Sequence, residues 1–277
     1  MKIKLTILSL LIAIGVSAQD SNFPKEIYRQ YELKVSSYKN NDSLYVEVTN
    51  TLKTPLRFLF KTSEEELNKN YPFKDTISFN PLEKKIIAYK LPQKEDLNYS
   101  YSSFLGNPNQ QVQKNQITFP FPKGKKYKII QGYNGTFSHN EENNKYAIDF
   151  SLKVNDTICS ADDGIVVGVI KDYTYGGSTK IWKDNDRSNF ITIYHPHSGI
   201  YTQYVHLVHQ GSLVKVGDEV KKGQPIGLSG MTGFTNISHL HFNVLIPKKG
   251  GTFVSIPITF ENGIKGEDLK IGKKIKH

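Results

Sequence analysis

Cysteine is almost missing from this chain: Cys159 is the only one in 277 residues. A single thiol cannot close an internal disulfide, which excludes the small, disulfide-stapled class of secreted domain. Its distance from the N-terminus also excludes a lipid-modified terminal cysteine. Tryptophan occurs once, as Trp182, and methionine twice. Beyond Val16 no apolar run is long enough to span a bilayer as a helix. Acid is short against base, with 26 Asp and Glu against 36 Lys and Arg, for a formal charge of +10. The lysines are scattered, with no basic helix and no aromatic-basic RNA-binding motif, so nucleic acid is not an expected partner. A basic chain suits an anionic polymer or surface instead.

What is present begins with an export pattern. Met1 to Lys4 supplies a positive start, Leu5 to Val16 an apolar stretch, and Val16-Ser17-Ala18 a cleavage-type ending before Gln19. Residues 1–18 therefore read as a signal peptide. Loss of Lys2 and Lys4 with it would leave a charge of about +8. The expectation is an exported bacterial protein, periplasmic or secreted, with no stable membrane insertion after cleavage.

Aromatics are plentiful, with 16 Tyr and 15 Phe, and lean the chain towards β-structure. Residues 20–105 read as a small β-sandwich-like accessory domain. Ser43–Thr49 alternates, Pro55–Phe60 and Lys85–Leu91 are further strands, and turn-rich pieces separate them. Ser63–Leu67 reads as a short helical turn. The amide-rich stretch 106–117 reads as a linker. From 118 to 277 strand follows strand. Asn189–Tyr194 and Ile200–Leu207 flank a turn at Pro196–Gly199 and read as a hairpin. The polar segment Asp172–Ser188 reads as a long loop able to wall a groove. The glycine turns of Val214–Gly227 look like those of lipoyl and biotinyl domains. The modifiable-lysine tripeptide of those carriers is missing, so only a barrel-like fold is shared. The expected fold class is all-β, with an antiparallel, barrel-sandwich-hybrid-like domain behind the smaller one.

The chemistry gathers around Ser238-His239-Leu240-His241-Phe242. Residues i and i+2 of a strand project to one face, so both imidazoles leave one side of one strand. Alone, such a pair is as well explained by two polar residues on a half-exposed strand. Three other residues extend it: His139 in a turn-like segment, Asp149 at the end of Tyr146–Asp149, and His206 in Tyr204-Val205-His206-Leu207. Each alone also has a dull explanation as a loop or strand-end residue. Together they suit zinc, which takes three protein ligands in a catalytic site and leaves the fourth position to water. His139, Asp149 and one histidine of the 239/241 pair would form the donor set. The other histidines would move protons or stabilise charge.

These motifs resemble those of the lysostaphin/LytM-type zinc metallopeptidases over about residues 118–260. The shared features are a His followed by an Asp (His139, Asp149), a Tyr-x-His-Leu segment (Tyr204–Leu207) and a terminal His-x-His (His239–His241). Lys215-Val216-Gly217-Asp218 and Gly223–Gly233 match in order as well. The resemblance implies an endopeptidase acting on peptidoglycan stem or cross-bridge peptides, with Zn2+ on His139, Asp149 and His241. It makes His206 and His239 catalytic, without separating the general base from its helper. Tyr133 would be an oxyanion donor or simply a packed aromatic. A catalytically silent scaffold or activator of wall hydrolases, and a surface-binding protein, are the rival readings.

One departure bears on His139. Nine residues, Asn140 to Ile148, separate it from Asp149, against three in the best-known members. The site survives if that loop bulges outwards, with Glu141 and Glu142 as fallback ligands. His195, His197, His209 and His277 are expected to be solvated surface imidazoles. Cys159 is expected to be a buried small residue.

Overall fold

A computed structural model describes residues 22–62, 76–90, 99–113, 116–185, 187–251 and 253–277. The expected signal peptide and the helical turn at Ser63–Leu67 lie outside the described residues. The described residues are nearly all β, as expected, and none of their helices is long and apolar enough to cross a membrane.

Six strands come first: β1 (Lys34–Asn40), β2 (Ser43–Thr49), β3 (Leu56–Thr62), β4 (Ile77–Phe79), β5 (Lys84–Lys90) and β6 (Tyr99–Leu105). They form two sheets, in the orders β1-β2-β5 and β4-β3-β6. The alternation in β2 turns Leu44, Val46 and Val48 inward, as period-two patterning requires. Phe60 of β3 stacks on Tyr89 of β5 across the two sheets, with ring centroids 4.6 Å apart.

This sandwich shares its core with the rest of the chain. Val167, Tyr194, Tyr201 and Leu245 pack into the same apolar cluster as Leu44, Val46 and Phe58. Thr54 Oγ1 lies 2.7 Å from the Tyr201 hydroxyl. Arg57 is wholly buried, and its guanidinium donates to the carbonyls of Gly106, Leu105 and Lys248. Three carbonyls on one guanidinium satisfy a charge that would otherwise be costly to bury.

The later strands are β7 (Gln116–Ile117), β8 (Lys126–Gln131), β9 (Ile148–Phe150), β10 (Thr157–Cys159), β11 (Gly164–Ile170) and β12 (Gly176–Gly177). A short helix, α1 (Lys180–Asp184), precedes β13 (Phe190–His195), β14 (Ile200–Val205), β15 (Leu207–Ser212) and β16 (Glu219–Val220). Then come β17 (Pro225–Ser229), β18 (Gly233–Phe234), β19 (Leu240–Pro247), β20 (Phe253–Ser255), β21 (Thr259–Phe260) and β22 (Lys274–Lys276). The main sheet runs β16-β11-β13-β14-β19-β9-β8-β22, with β20 also on β19. It stays open, so the barrel-like expectation is met only as layered antiparallel sheet. The expected β13–β14 hairpin forms, with His195 opposite Ile200.

Two stretches are more structured than their polarity suggests. In the 106–117 segment, Gln113 donates to the Ser198 carbonyl and β7 pairs with β21. Within Asp172–Ser188, β12 pairs in parallel with β18, and Trp182 of α1 is fully buried. Below the main sheet Phe119, Phe121, Phe150 and Phe260 cluster, each contributing on the order of 1.5–3 kcal/mol by burial.

Candidate metal centre

Three adjacent strands converge on one point. His241 of β19 lies opposite Asp149 of β9 on one side and Val205 of β14 on the other. His206 follows β14 directly, and His239 precedes β19, bridged to Gly230. His139 arrives from the β8–β9 connection. The structure thus brings His139, Asp149, His206, His239 and His241 together.

Asp149 Oδ1 lies 3.2 Å from His139 Nε2 and 3.0 Å from His241 Nδ1. His139 Nε2 and His241 Nδ1 are 3.1 Å apart. Zinc–ligand bonds of about 2.0–2.1 Å in a tetrahedron require donor separations of roughly 3.3 Å. The triangle of two imidazole nitrogens and one carboxylate oxygen therefore fits such an ion, and it is the one metal-capable cluster among the described residues. The His206 and His239 rings sit beside it, with centroids 4.5 Å apart, and His239 Nε2 lies 3.8 Å from Asp149 Oδ1.

Backbone carbonyls set the orientation of three of the four imidazoles. A carbonyl only accepts, so the nitrogen facing it carries the proton and the other keeps its lone pair. His139 Nδ1 donates to the Gly132 carbonyl at 3.0 Å, His206 Nδ1 to that of Thr232 at 2.7 Å, and His239 Nδ1 to that of Ile237 at 2.9 Å. In each case Nε2 is left with its lone pair free. The Thr235 hydroxyl also lies 3.3 Å from His239 Nδ1. Gln131, opposite Asp149 in the β8–β9 register, donates from Nε2 to Asp149 Oδ2 at 3.0 Å. This leaves Oδ1 for the cluster. Gln131 and Thr235 carried no sequence signal, and Thr232 was marked only as part of the Gly223–Gly233 run; the strand register and the turns bring all three here.

The long His139–Asp149 connection does bulge. Asn134 donates to the Lys145 carbonyl and closes its neck, while Asn243 Nδ2 and the Ser255 amide hold its outer arc through Asn143 and Glu142. His139 lies within the stretch that this neck bond closes, and its Nδ1 bond to the Gly132 carbonyl turns Nε2 to the site. Glu142 pairs with Lys248 and Glu141 is exposed, which removes both as ligands. Phe137, two residues before His139, stacks on Phe234 of β18 with planes 3° apart and joins the two loops flanking the centre.

Burial lowers His206 well below its ordinary value, and His239 and His241 add to this. Burial also lowers His241, against the pull of Asp149. Asp149 is pushed up by burial, yet His239, His139 and His241 together hold it well below the usual carboxylate range. Burial also opposes the charged form of His139, but its hydrogen bond to Asp149 and the charge of that carboxylate raise it on balance, so the two ligand imidazoles are shifted in opposite directions.

The expectations for His195 and His277 require correction, and the surroundings of Tyr133 are defined. The Tyr133 hydroxyl accepts the Ile258 amide at 2.9 Å, and its ring packs edge-on against Tyr146. A Cβ on Gly266 would collide with that hydroxyl, so the ring fills a tight slot and behaves as the packed aromatic. His195 is wholly buried rather than solvated: Nδ1 donates to the Asp163 carbonyl and Nε2 meets the Thr202 hydroxyl, both at 2.8 Å. His277 likewise packs on Phe119 and Phe121, whereas His197 and His209 are exposed. Cys159 is buried, and burial pushes its thiol up to about 11, as suits an inert residue.

His195 predicts an acid sensitivity. Burial lowers it to about 4, so between roughly pH 6.5 and 4 the unfolded chain binds the proton more readily. Stability is full above that window and falls as pH drops through it. Between pH 7 and 5 the loss is about 2 kcal/mol. Urea unfolding of wild type and His195→Gln at both pH values checks this. An equal pH-dependent loss in the two proteins would remove His195 as the cause.

Two imidazoles and a carboxylate at tetrahedral spacing, flanked by two further histidines in an all-β domain, could hold a metal ion. Residues 143–254 match the profile of Peptidase family M23. The match includes Asp149, His206, His239 and His241 and begins just beyond His139. The chain is 36% identical over 136 residues to an uncharacterized metalloprotease of Buchnera aphidicola, covering 48% of this chain and 32% of that protein. It is 33% identical over 135 residues to the peptidoglycan DD-endopeptidase ShyB of Vibrio cholerae, covering 47% of this chain and 25% of the other. With the glycyl-glycine endopeptidase ALE-1 of Staphylococcus capitis it shares 34% identity over 120 residues, covering 42% of this chain and 29% of the other. The chain thus spans about a third or less of these relatives' own lengths.

Proposed function

We propose that this protein is an exported, zinc-dependent endopeptidase that hydrolyses peptide bonds in peptidoglycan cross-bridges. The observation that carries the reading is the triangle of His139 Nε2, Asp149 Oδ1 and His241 Nδ1, with sides of 3.0–3.2 Å, beside two imidazoles with free Nε2 lone pairs. His139, Asp149 and His241 hold the zinc. When bound, the ion supplies a Lewis acid for the scissile carbonyl and acidifies water. His206 and His239 handle the protons: one Nε2 accepts a proton from the attacking water, and the other supports the developing charge or protonates the leaving amine. Gln131 keeps Asp149 turned to the ion, as outer partners of metal ligands do.

Printed activities among the relatives include a peptidoglycan DD-endopeptidase and a glycyl-glycine endopeptidase, which together support wall peptide as the substrate class. Mass spectrometry of muropeptides released from sacculi of different cross-link chemistry, with and without chelator, tests the reading. Zinc-loaded protein should release a defined peptide cut from at least one wall type. Chelator should abolish the release, and added zinc should restore it. No product from any wall by zinc-loaded protein would overturn the proposal in favour of a silent scaffold.

A further inference from the structure

His206 sits at φ +68°, a left-handed backbone that a non-glycine residue keeps only when its surroundings over-determine it. The residues that hold it there are identifiable. Asn189 is fully buried, and its carbonyl accepts the Leu207 amide at 3.2 Å. The Asn189 amide donates to Thr232 Oγ1 at 3.0 Å, and the Thr232 hydroxyl donates to the Leu207 carbonyl at 2.7 Å. The Thr232 carbonyl takes the Nδ1 proton of His206 itself. Gly233, at φ +81°, lets this turn lie against Ser188, whose Oγ stands where a Cβ would be.

From Asn189 the chain of bonds leads away from the centre. The Asn189 side chain exchanges two hydrogen bonds with the backbone of Tyr173, at 2.9 and 2.7 Å. The Tyr173 hydroxyl accepts the Tyr28 amide at 3.2 Å and donates to the Glu26 carbonyl at 3.3 Å. The same N-terminal segment packs Tyr28 on Tyr173 and Phe23 edge-on against the buried Trp182, with centroids 4.9 and 5.0 Å apart. Val169 of β11 donates to the Gln30 carbonyl at 2.9 Å.

We propose that Asn189 and Thr232 are positioning residues for His206, and that the segment Phe23–Gln30 belongs to the same device as a strap fastened through Tyr173. This rests on the catalytic role assigned to His206 above. The metal donors stand on β9, on β19 and in the β8–β9 connection. Loosening the device therefore moves His206 relative to them without removing a ligand.

The test uses the zinc-loaded full chain as wild type, Thr232→Val, Thr232→Ser and Tyr173→Phe. Valine keeps the shape of threonine and removes both hydroxyl bonds, whereas serine keeps them. Thr232→Val should lower kcat about tenfold or more, with KM and zinc content within about twofold of wild type. Amide exchange at Leu207 should quicken by a similar factor, and Thr232→Ser should restore both. Tyr173→Phe, which cuts only the strap bonds, should produce a smaller change of the same kind, roughly threefold. A fall in Tm with kcat and Leu207 exchange unchanged in Thr232→Val would reduce the device to ordinary packing and overturn the proposal, as would equal losses in the Ser and Val variants. Unchanged values in Tyr173→Phe would overturn the strap. If zinc-loaded wild type cleaves no wall preparation, the proposed function fails, and the exchange at Leu207 still decides the positioning.

Discussion

His241→Ala is expected to lose both zinc and hydrolytic activity while leaving the fold intact. His241 is the central donor by position. It lies in the middle of three strands, and its Nδ1 is within 3.1 Å of both the Asp149 and His139 donor atoms. Without it two donors remain, too few for the three-ligand set of a catalytic zinc site. Changing an outer partner of a ligand commonly costs 10–100-fold in affinity, so loss of a ligand should cost at least about a thousandfold. The fold should survive, because Asp149 keeps Gln131 and His139 as partners. Elemental analysis should fall from one zinc per chain to near none, with an unchanged circular dichroism spectrum. Stoichiometric zinc in the variant would remove His241 from the ligand set.

His239→Ala is expected to separate chemistry from metal binding. The His239 side chain reaches the cluster without belonging to the donor triangle: its Nε2 is 3.8 Å from Asp149 Oδ1, and its Nδ1 is tied to the Ile237 carbonyl. All three donors stay in place when it is removed, so zinc content should remain near wild type. General acid–base groups contribute about 10²–10⁴-fold, and kcat should drop by that order with KM little changed. Wild-type turnover of muropeptides by the variant would refute the assignment. Loss of zinc in parallel with activity would instead make His239 a ligand. Set side by side, His241→Ala and His239→Ala turn one His-x-His motif into two distinguishable functions.

The strands and the cluster were legible because they are written in short-range patterns. Alternation in Ser43–Thr49 became β2 with the expected bounds. His239 and His241 share a face because the period of a strand is two. The open question of the His139 loop was of another kind. Whether a nine-residue excursion returns its first residue to the sheet depends on Asn134, Asn243 and Ser255, which tie the loop at its neck and along its arc. His195 was misread for the same reason. A histidine beside a turn looks solvated until the packing of Asp163 and Thr202 around it is known.

By itself, the sequence determined that this is an all-β chain carrying four histidines and an aspartate able to form a metal centre. Residue type and local spacing are enough for that. Only the tertiary structure decided which nitrogen of each imidazole faces the centre, what holds His206 left-handed, and that Tyr133 packs elsewhere. The physical reason is that backbone carbonyls perform much of this work. Gly132, Thr232 and Ile237 orient three imidazoles through an atom that every residue possesses, so no side-chain pattern can announce it.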